Sequence, residues 1–150
     1  MQKQPSSKMC FVCGRENPIG FHLHFFQDDA GCVHANYTAK EEHQGFPGMM
    51  HGGLISTLLD EILGRTAIAN NIWCMTAQLD VRYKQPVPIG MPLKLRGEIT
   101  KQRGRLIKGK GELLLEDGSV AAEAHGTYLR IPDDQMKAFE RALEWWKVDA

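Results

Sequence analysis

The stretch HQGFPGMMHGGLISTLLDEILG, residues 43–64, joins a loop broken by glycine and proline to a long apolar helical pattern. At about 100° per residue, its large apolar side chains fall on one broad face of a helix, and such a face needs a sheet to cover it. These side chains are Leu54, Ile55, Leu58, Leu59, Ile62 and Leu63. The pattern therefore predicts a helix over residues 52–69 at the centre of the fold.

Strand patterns on both sides of this helix predict an antiparallel sheet. A hairpin is expected from residues 21–26 and 31–39. Longer alternating segments follow the helix at residues 75–87, 93–100, 106–118 and 119–131. Glycines inside these segments indicate a sheet that bends or is approached closely, since interior glycines otherwise weaken strands. The chain is therefore predicted to be α+β, with a sheet that curls around one long helix.

Charge and composition restrict the classes of function. Eighteen basic side chains balance eighteen acidic ones, which gives no electrostatic reason to bind nucleic acid or an anionic membrane. No apolar run is long enough to span a bilayer, and residues 1–10 lack the apolar core of a secretory signal. We therefore expect one cytoplasmic domain over residues 1–150. Within it we expect a CxxC segment at residues 1–15 and an amphipathic helix at residues 132–148.

The cysteines and histidines near the N-terminus leave a metal site open as an alternative. Cys10 and Cys13 form a CxxC pair, and His22 and His24 follow at a spacing that suits one face of a strand. One CxxC is half of a zinc site, and the simpler interpretation is a tight turn before a strand. We therefore predict no bound metal. The other two cysteines are interpreted as small core residues, Cys32 and Cys74.

Two neighbouring carboxylates on the helix receive different interpretations. Asp60 falls on a face of small residues and has no basic residue one turn away, whereas Glu61 has Arg65 at i+4 and is predicted to form a surface pair. Gly52 and Gly53 fall at the helix start, where N–H groups are free and the dipole is positive. This geometry suits a carbonyl oxygen that gains charge, and a carboxylate two turns further along could attack that carbonyl or deprotonate a water.

The segments CFVCGRENPIGFHLHF, GFPGMMHGG and HGGLISTLLDE together resemble a known family. They are similar to hotdog-fold thioesterases of the phenylacetate-pathway branch of the 4-hydroxybenzoyl-CoA thioesterase superfamily, in which the catalytic acid lies nine positions after the histidine. The resemblance implies hydrolysis of an acyl- or aryl-coenzyme A thioester without a further cofactor. It also implies a homodimer with sheets joined edge to edge and active sites at the interface, which can pair into a tetramer.

The resemblance also implies roles for residues of this chain. Asp60 would be the nucleophile or general base, and the Gly52 N–H would polarise the thioester carbonyl. Thr76 would help to position the water and would come from the other subunit. His51 would shape the loop and the oxyanion region, and Gln44 is the nearest candidate for a loop amide that touches the thioester.

The loop before the helix is a candidate wall of the acyl pocket. Phe46, Met49 and Met50 make it apolar, and methionine adapts to varied chains. Gly53 would allow close approach of the substrate. The alternative is that these apolar side chains simply pack beneath the sheet.

Basic side chains on the later strands could bind the phosphates of coenzyme A. The candidates are Arg82, Lys84 and Arg103. Arginine and lysine both bind phosphate, but alternating basic residues also occur on the solvated face of ordinary strands. Both interpretations stay open for these residues.

Two other functions are compatible with the same fold, because a fold does not determine a function. A non-catalytic acyl-CoA binding or sensing protein would keep the pocket without needing Asp60. A dehydratase or hydratase would need a paired histidine and carboxylate. His51 and Asp60 are nine residues apart, which is about 13 Å along a helix. That pair would therefore need a second subunit.

Overall fold

The computed structural model describes residues 1–143 and 146–148, and within them one antiparallel sheet packs on a central helix. The helices are α1 (Gly52–Ile68) and α2 (Asp133–Ala142). The strands are β1 (Gln2–Lys3), β2 (Ser6–Ser7), β3 (Phe26–Gln27), β4 (Val33–Thr38), β5 (Cys74–Tyr83), β6 (Pro92–Arg103), β7 (Leu106–Leu114), β8 (Val120–Arg130) and β9 (Trp146–Lys147). This is the α+β architecture that the sequence predicts.

The sheet has the strand order β1-β3-β4-β6-β7-β8-β5, and β2 pairs with β9 apart from it. All the pairings are antiparallel, and α1 contacts each of the strands β4 to β8. Strand β5 forms one edge of the sheet, and in the described part of the chain β8 is its only strand partner. The strand that follows α1 in sequence is therefore an edge strand of the sheet.

Helix α1 buries the apolar face that its sequence predicts. Leu58, Leu59 and Ile62 have no exposed surface and Leu63 is 1% exposed. At the helix start, the His51 side chain caps α1 by accepting a hydrogen bond from the Gly53 N–H. Burial of these side chains is the main favourable term that holds the helix to the sheet, at about 25 cal/mol per Å² of apolar surface.

Four glycines in the strands face the helix, as the sequence indicates. They are Gly97, Gly109, Gly111 and Gly126. A Cβ atom on Gly97 would lie 3.1 Å from the Ile62 carbonyl oxygen, and one on Gly126 would lie 3.0 Å from Leu63 Cδ1. The glycines therefore let the sheet approach α1 more closely than larger residues would permit.

The predicted strand over residues 21–26 is wrong for most of its length. Only Phe26 belongs to β3, although Phe21, Leu23 and Phe25 are buried in the expected alternation. Their backbone pairs with the CxxC segment instead: the Phe21 N–H donates to the Phe11 carbonyl at 2.9 Å. The side chains of this segment are therefore buried alternately although its backbone is not part of a strand, because the segment packs under the N-terminal turn.

The C-terminal helix is shorter than the predicted span of residues 132–148. It ends at Ala142, because Leu143 adopts an extended conformation, and the chain then forms β9. Trp146 packs edge-on against Trp73, while Trp145 lies outside the described residues. None of the helices in residues 1–143 and 146–148 is long and apolar enough to cross a membrane.

Candidate active site

Asp60 lies on α1 with its carboxylate held by two hydroxyl groups. Its Oδ1 accepts hydrogen bonds from Thr76 Oγ1 at 2.7 Å and from the Tyr128 hydroxyl at 2.9 Å. Among the described residues, no donor reaches Oδ2. One carboxylate oxygen is therefore fixed while the other remains available to a ligand or a water.

Thr76 reaches Asp60 within the same chain, which corrects the expectation that it would come from the other subunit. Thr76 on β5 and Tyr128 on β8 are directly opposite each other across the strand pair, and a bulge follows between Thr76 and Gln78. Both side chains of a cross-strand pair point to the same face of a sheet, here the face that α1 covers. The register of β5 and β8 thus explains why both hydroxyls meet Asp60.

Tyr128 is a site residue that sequence reasoning missed. It is 2% exposed, and burial together with the nearby Asp60 carboxylate raises its pKa, so the phenol stays a neutral donor. A signal was present in the sequence. Tyr128 is the one large polar side chain on the inward face of β8, where its neighbours are Ala122, Ala124 and Gly126.

The start of α1 offers one free N–H group rather than two. The Gly53 N–H donates to His51 Nδ1 at 2.9 Å, so Gly53 is not available to a ligand through this group. Within the described ranges, no acceptor is in reach of the Gly52 N–H. His51 itself is held by its backbone, whose N–H donates to the His43 carbonyl at 2.9 Å.

Tyr83 is a second residue that the sequence analysis missed. Its hydroxyl donates to the Gly52 carbonyl at 2.9 Å and also contacts the Ser56 hydroxyl. Its ring lies 3.5 Å from the position that a Cβ on Gly52 would occupy. Tyr83 therefore fixes the first turn of α1, and a Cβ at Gly52 would make an ordinary van der Waals contact with its ring.

The loop before α1 forms a shallow cavity of about 420 Å³ beside the helix start. Phe46 and Met49 are exposed at its rim, whereas Met50 is buried, so the loop only partly packs beneath the sheet. Gln44 lines the same cavity, and its Oε1 accepts a hydrogen bond from the Gly48 N–H at 2.8 Å. This leaves the Gln44 amide nitrogen as the group that could face a ligand.

Gly52 and Asp60 are not brought together within one chain. They are separated by eight residues of continuous helix, which is about 12 Å along its axis. A single carbonyl carbon cannot contact both groups at that distance. The idea that the carboxylate acts on a carbonyl held at its own helix start is therefore wrong for a single chain.

The three predicted phosphate ligands are also not clustered. Arg82 is exposed on β5, but the Lys84 ammonium is 3.2 Å from Glu123 Oε2. Arg103 lies at the turn between β6 and β7. The pairings across the sheet align it with Met75 on β5. Seven strand residues separate Met75 from Arg82, about 23 Å along β5, so Arg103 and Arg82 are at opposite ends of the sheet.

The Glu61–Arg65 pair is enclosed rather than a surface pair, with Arg65 buried and the Glu61 side chain 24% exposed. Arg65 is 2% exposed, and its Nε lies 3.4 Å from Glu61 Oε1. The guanidinium also donates to the Pro5 carbonyl at 2.6 Å and lies over the Phe25 ring. Burial raises the pKa of Glu61, and Arg65 acts against this rise. The N-terminal segment covers the pair, which a helical wheel cannot reveal.

The thiols of the CxxC segment face α1 and not the two histidines of the alternative metal site. His22 Nε2 contacts the Asn17 carbonyl, and His24 Nε2 lies 3.0 Å from the Arg15 guanidinium. Cys10 Sγ lies 3.9 Å from Glu61 Oε1 instead. The hydrogen bond from Cys10 lowers the pKa of Cys13, and burial acts against this shift.

The remaining two cysteines fit their predicted role as small packed residues. Cys32 is buried and Cys74 is half-buried beside the core. Burial raises the pKa of both thiols, which opposes nucleophilic reactivity.

Comparison with known proteins places this geometry in a family context. Residues 47–122 match the model of the thioesterase superfamily. The chain is 30% identical over 101 residues to acyl-coenzyme A thioesterase THEM4 of Mus musculus, a match that covers 67% of this chain and 44% of that protein. The chain thus spans less than half the length of this curated relative.

Solved structures share the architecture. A crystal structure described as a thioesterase superfamily protein has a TM-score of 0.78 at 33% identity, over 81% of this chain and 63% of that one. A hypothetical thioesterase protein from Streptococcus pneumoniae, crystallised with coenzyme A, has a TM-score of 0.69 at 20% identity, over 73% of this chain and 85% of that one. Two further structures from that strain carry a Thr-to-Ala and an Asp-to-Ala substitution at positions 16 residues apart.

Proposed function

The chain belongs to the thioesterase superfamily, and from this we propose that it hydrolyses an acyl- or aryl-coenzyme A thioester to the free acid and coenzyme A. The observation that carries the proposal is the Asp60 carboxylate, which two neutral hydroxyl donors hold through one oxygen. A relative named as an acyl-coenzyme A thioesterase and a protein of the same fold crystallised with coenzyme A support this class of substrate.

Asp60 acts as the general base or the nucleophile. Donors from Thr76 and Tyr128 stabilise the ionised carboxylate and orient it, since hydrogen bonds to the charged form favour that form. The unbound oxygen then takes a proton from water as the water attacks the thioester carbon, or it attacks that carbon itself and forms an acyl anhydride that a water then hydrolyses. Coenzyme A leaves as its thiolate in either case.

The Gly52 N–H stabilises the oxygen that gains charge. It lies at the positive end of the α1 dipole, and among the described residues it has no acceptor. A single preorganised donor of this kind contributes about 2.7–4 kcal/mol to transition-state stabilisation in enzymes. Tyr83 and His51 hold the turn that presents this group.

The separation of Gly52 and Asp60 supports an active site made by two subunits. Because about 12 Å of helix separates them, the donor and the carboxylate that act on one carbonyl must come from different chains. We therefore propose a homodimer in which Gly52 of one subunit faces Asp60 of the partner subunit. Pairing of such dimers into a tetramer is compatible with this arrangement.

The open edge of β5 is the surface through which we propose the dimer to form. Met75, Thr76, Ala77 and Gln78 are exposed there, next to the small-residue face of α1 that carries Asp60. An exposed strand edge carries unpaired N–H and C=O groups that a second strand can satisfy. Edge-to-edge pairing of two copies would continue the sheet and bring the two helices side by side.

The spacing of the site residues gives further support. Asp60 and Thr76 are 16 positions apart, the same separation as the Asp and Thr substituted in the Streptococcus pneumoniae protein. His51 lies nine positions before Asp60, and this spacing supports placement in the phenylacetate-pathway branch.

Substrate contacts follow from the cavity at the helix start. We assign Phe46 and Met49 to the acyl group and the Gln44 amide to the thioester. Arg82 is the best placed of the predicted phosphate ligands, because Lys84 is paired with Glu123 and Arg103 lies at the far end of the sheet. Four free thiols fit a reducing compartment, so the cytoplasm remains the proposed location.

Thiol release from a panel of short, long and aryl acyl-CoAs tests the proposal. Asp60→Asn should lower kcat by at least about 100-fold, because it removes the base while keeping the shape of the side chain. Asp80→Asn is the matched control, since Asp80 is an exposed carboxylate on β5 outside the cluster.

Three outcomes would overturn the assignment. Turnover that is equal in wild type and Asp60→Asn would remove Asp60 from the chemistry. Tight acyl-CoA binding by both proteins without turnover would indicate the binding or sensing protein, and hydration of an enoyl-CoA would indicate the hydratase.

A further inference from the structure

We propose that Cys10, Cys13 and Glu61 form a binding site for a divalent transition metal, best matched by zinc, that fastens the N-terminal segment to α1. One ligand atom from each of the three residues lies within 4.8 Å of the other two. The three residues come from the CxxC turn and the central helix, 51 positions apart at the widest. The site is separate from the Asp60 cluster and does not depend on the proposed hydrolase activity.

The distances suit a tetrahedral ion. Zinc binds thiolate sulfur at about 2.3 Å and carboxylate oxygen at about 2.0–2.2 Å, so two tetrahedral ligand atoms are separated by about 3.5–3.8 Å. Cys10 Sγ and Glu61 Oε1 are 3.9 Å apart. An ion could therefore enter between these atoms with only small side-chain shifts.

The backbone of the CxxC segment holds both thiols on one side. The Gly14 N–H closes the turn on the Cys10 carbonyl at 2.8 Å. A Cβ on Gly14 would lie 2.4 Å from that carbonyl oxygen, so only glycine fits after the second cysteine. Gly14, which follows Cys13 in the sequence, therefore preorganises the turn for two sulfur ligands.

Ser7 supports Cys13 from outside the proposed coordination sphere. Both its N–H and its hydroxyl lie 3.5 Å from Cys13 Sγ, and its Oγ accepts a hydrogen bond from the Cys10 N–H at 3.1 Å. Donors of this kind stabilise a metal-bound thiolate and fix its orientation. Ser7 is itself held by the pairing of β2 with β9.

The charges of the cluster also fit a divalent cation. Two thiolates and one carboxylate around a divalent ion leave a single net negative charge, which the Arg65 guanidinium beside Glu61 offsets. Thiolate ligands favour zinc over magnesium or calcium, which prefer oxygen. The three protein ligands leave a fourth position for a water on the side of Cys10, which is partly exposed.

Cobalt titration of the full chain tests the site without using activity. Binding of one Co²⁺ per chain by two thiolates should produce a thiolate-to-cobalt charge-transfer absorption, and one equivalent of Zn²⁺ should remove it. Cys13→Ser and Glu61→Gln should weaken binding at least tenfold. Cys74→Ser and His22→Asn are matched controls that should bind as wild type does.

The same experiment contains the results that would overturn the proposal. A wild-type protein that shows no charge-transfer band, with all four thiols reduced when they are titrated after unfolding, would make the pair plain thiols. A Cys10–Cys13 disulfide in protein purified under reducing conditions would make it a redox pair. Equal loss of binding in His22→Asn would return the site to the histidines. Because the first two of these readouts use the wild type, a variant that fails to fold does not leave the question open.

Discussion

The two hydroxyls that bind Asp60 Oδ1 differ in their surroundings. Thr76 is exposed on an edge strand, whereas Tyr128 is buried under α1 and has the rigid ring that holds its hydroxyl in place. A hydrogen bond to a charged group contributes about 1.5–3 kcal/mol, more than one between neutral groups. The buried tyrosine is therefore the stronger positional constraint on the carboxylate.

We predict that Tyr128→Phe lowers kcat by about 10- to 100-fold, which corresponds to the loss of one such hydrogen bond. KM should change little, since Tyr128 is too buried to contact substrate. Steady-state kinetics on the best acyl-CoA of the panel measures both constants. Thr127→Val, at the neighbouring position of β8, is the control. A variant with wild-type kcat would show that Thr76 alone positions Asp60.

Burial also changes the expected effect of mutating the Glu61–Arg65 ion pair, whose carboxylate is next to Asp60 in the sequence. Because Arg65 is enclosed between Glu61, the Pro5 carbonyl and the Phe25 ring, its loss leaves unpaired buried groups. We predict that Arg65→Met lowers the free energy of unfolding by about 3 kcal/mol. Denaturant unfolding measures this value.

Arg130→Met is the matched control for the buried pair. Arg130 forms an exposed pair with Asp133 at 3.4 Å, and exposed pairs contribute about 0–1 kcal/mol. Equal destabilisation by the two substitutions would mean that enclosure of Arg65 has no energetic consequence.

At the scale of elements, the short turn at Glu41–His43 connects the core to the start of α1. His43 is buried against Tyr37 and Phe21, and its carbonyl accepts the His51 N–H. Burial lowers the pKa of His43, with Glu42 acting against the shift and Lys40 adding to it. The turn therefore depends on a neutral imidazole.

This gives a prediction for pH. Because the folded-state pKa of His43 lies below its unfolded value of about 6.5, the unfolded chain binds the proton more tightly. The free energy of unfolding should therefore fall as pH drops below about 6.5. Unfolding at pH 7.5 and at pH 5.5 should show a larger decrease for wild type than for His43→Gln. His22→Asn, at an exposed histidine, should keep the wild-type decrease; if His43→Gln keeps it too, another group is responsible.

At the scale of the whole molecule, the proposed site needs two chains, and mixed dimers can test this. Gly52→Pro removes the N–H at a helix position that tolerates proline, and Asp60→Asn removes the base. Each variant alone should be inactive. A heterodimer of the two would contain one site with both groups intact.

We predict that co-expression of the two variants restores about a quarter of wild-type activity. About half of the dimers should be mixed, and each mixed dimer has one intact site out of two. Sedimentation of the wild type should show a dimer or a tetramer made of two dimers. If the mixture stays inactive although mixed dimers are isolated by two affinity tags, Gly52 and Asp60 do not act on the same substrate.

Local patterns were sufficient for the central part of the fold. The 3.6-residue period of apolar residues in α1 predicted an apolar helix face that needs a sheet to cover it. The two-residue period of apolar residues in residues 75–131 predicted the strands of that sheet. The interior glycines indicated the close approach that Ile62 and Leu63 now show. Asp60 was predicted as a candidate because a carboxylate without a local partner conflicts with the small-residue face on which it lies.

Other features depended on contacts between distant segments. Tyr128 joins Asp60 across 68 positions through the β5–β8 register, and the cover over Arg65 comes from a segment 60 positions away. A helical wheel or a strand pattern describes only neighbours within one element, so it placed Glu61 at the surface and offered only His22 and His24 as alternative partners for Cys10 and Cys13. The sequence by itself determined which elements form and which faces they bury. Only the tertiary structure decided which side chains meet, because those contacts are set by register and packing between elements far apart in the chain.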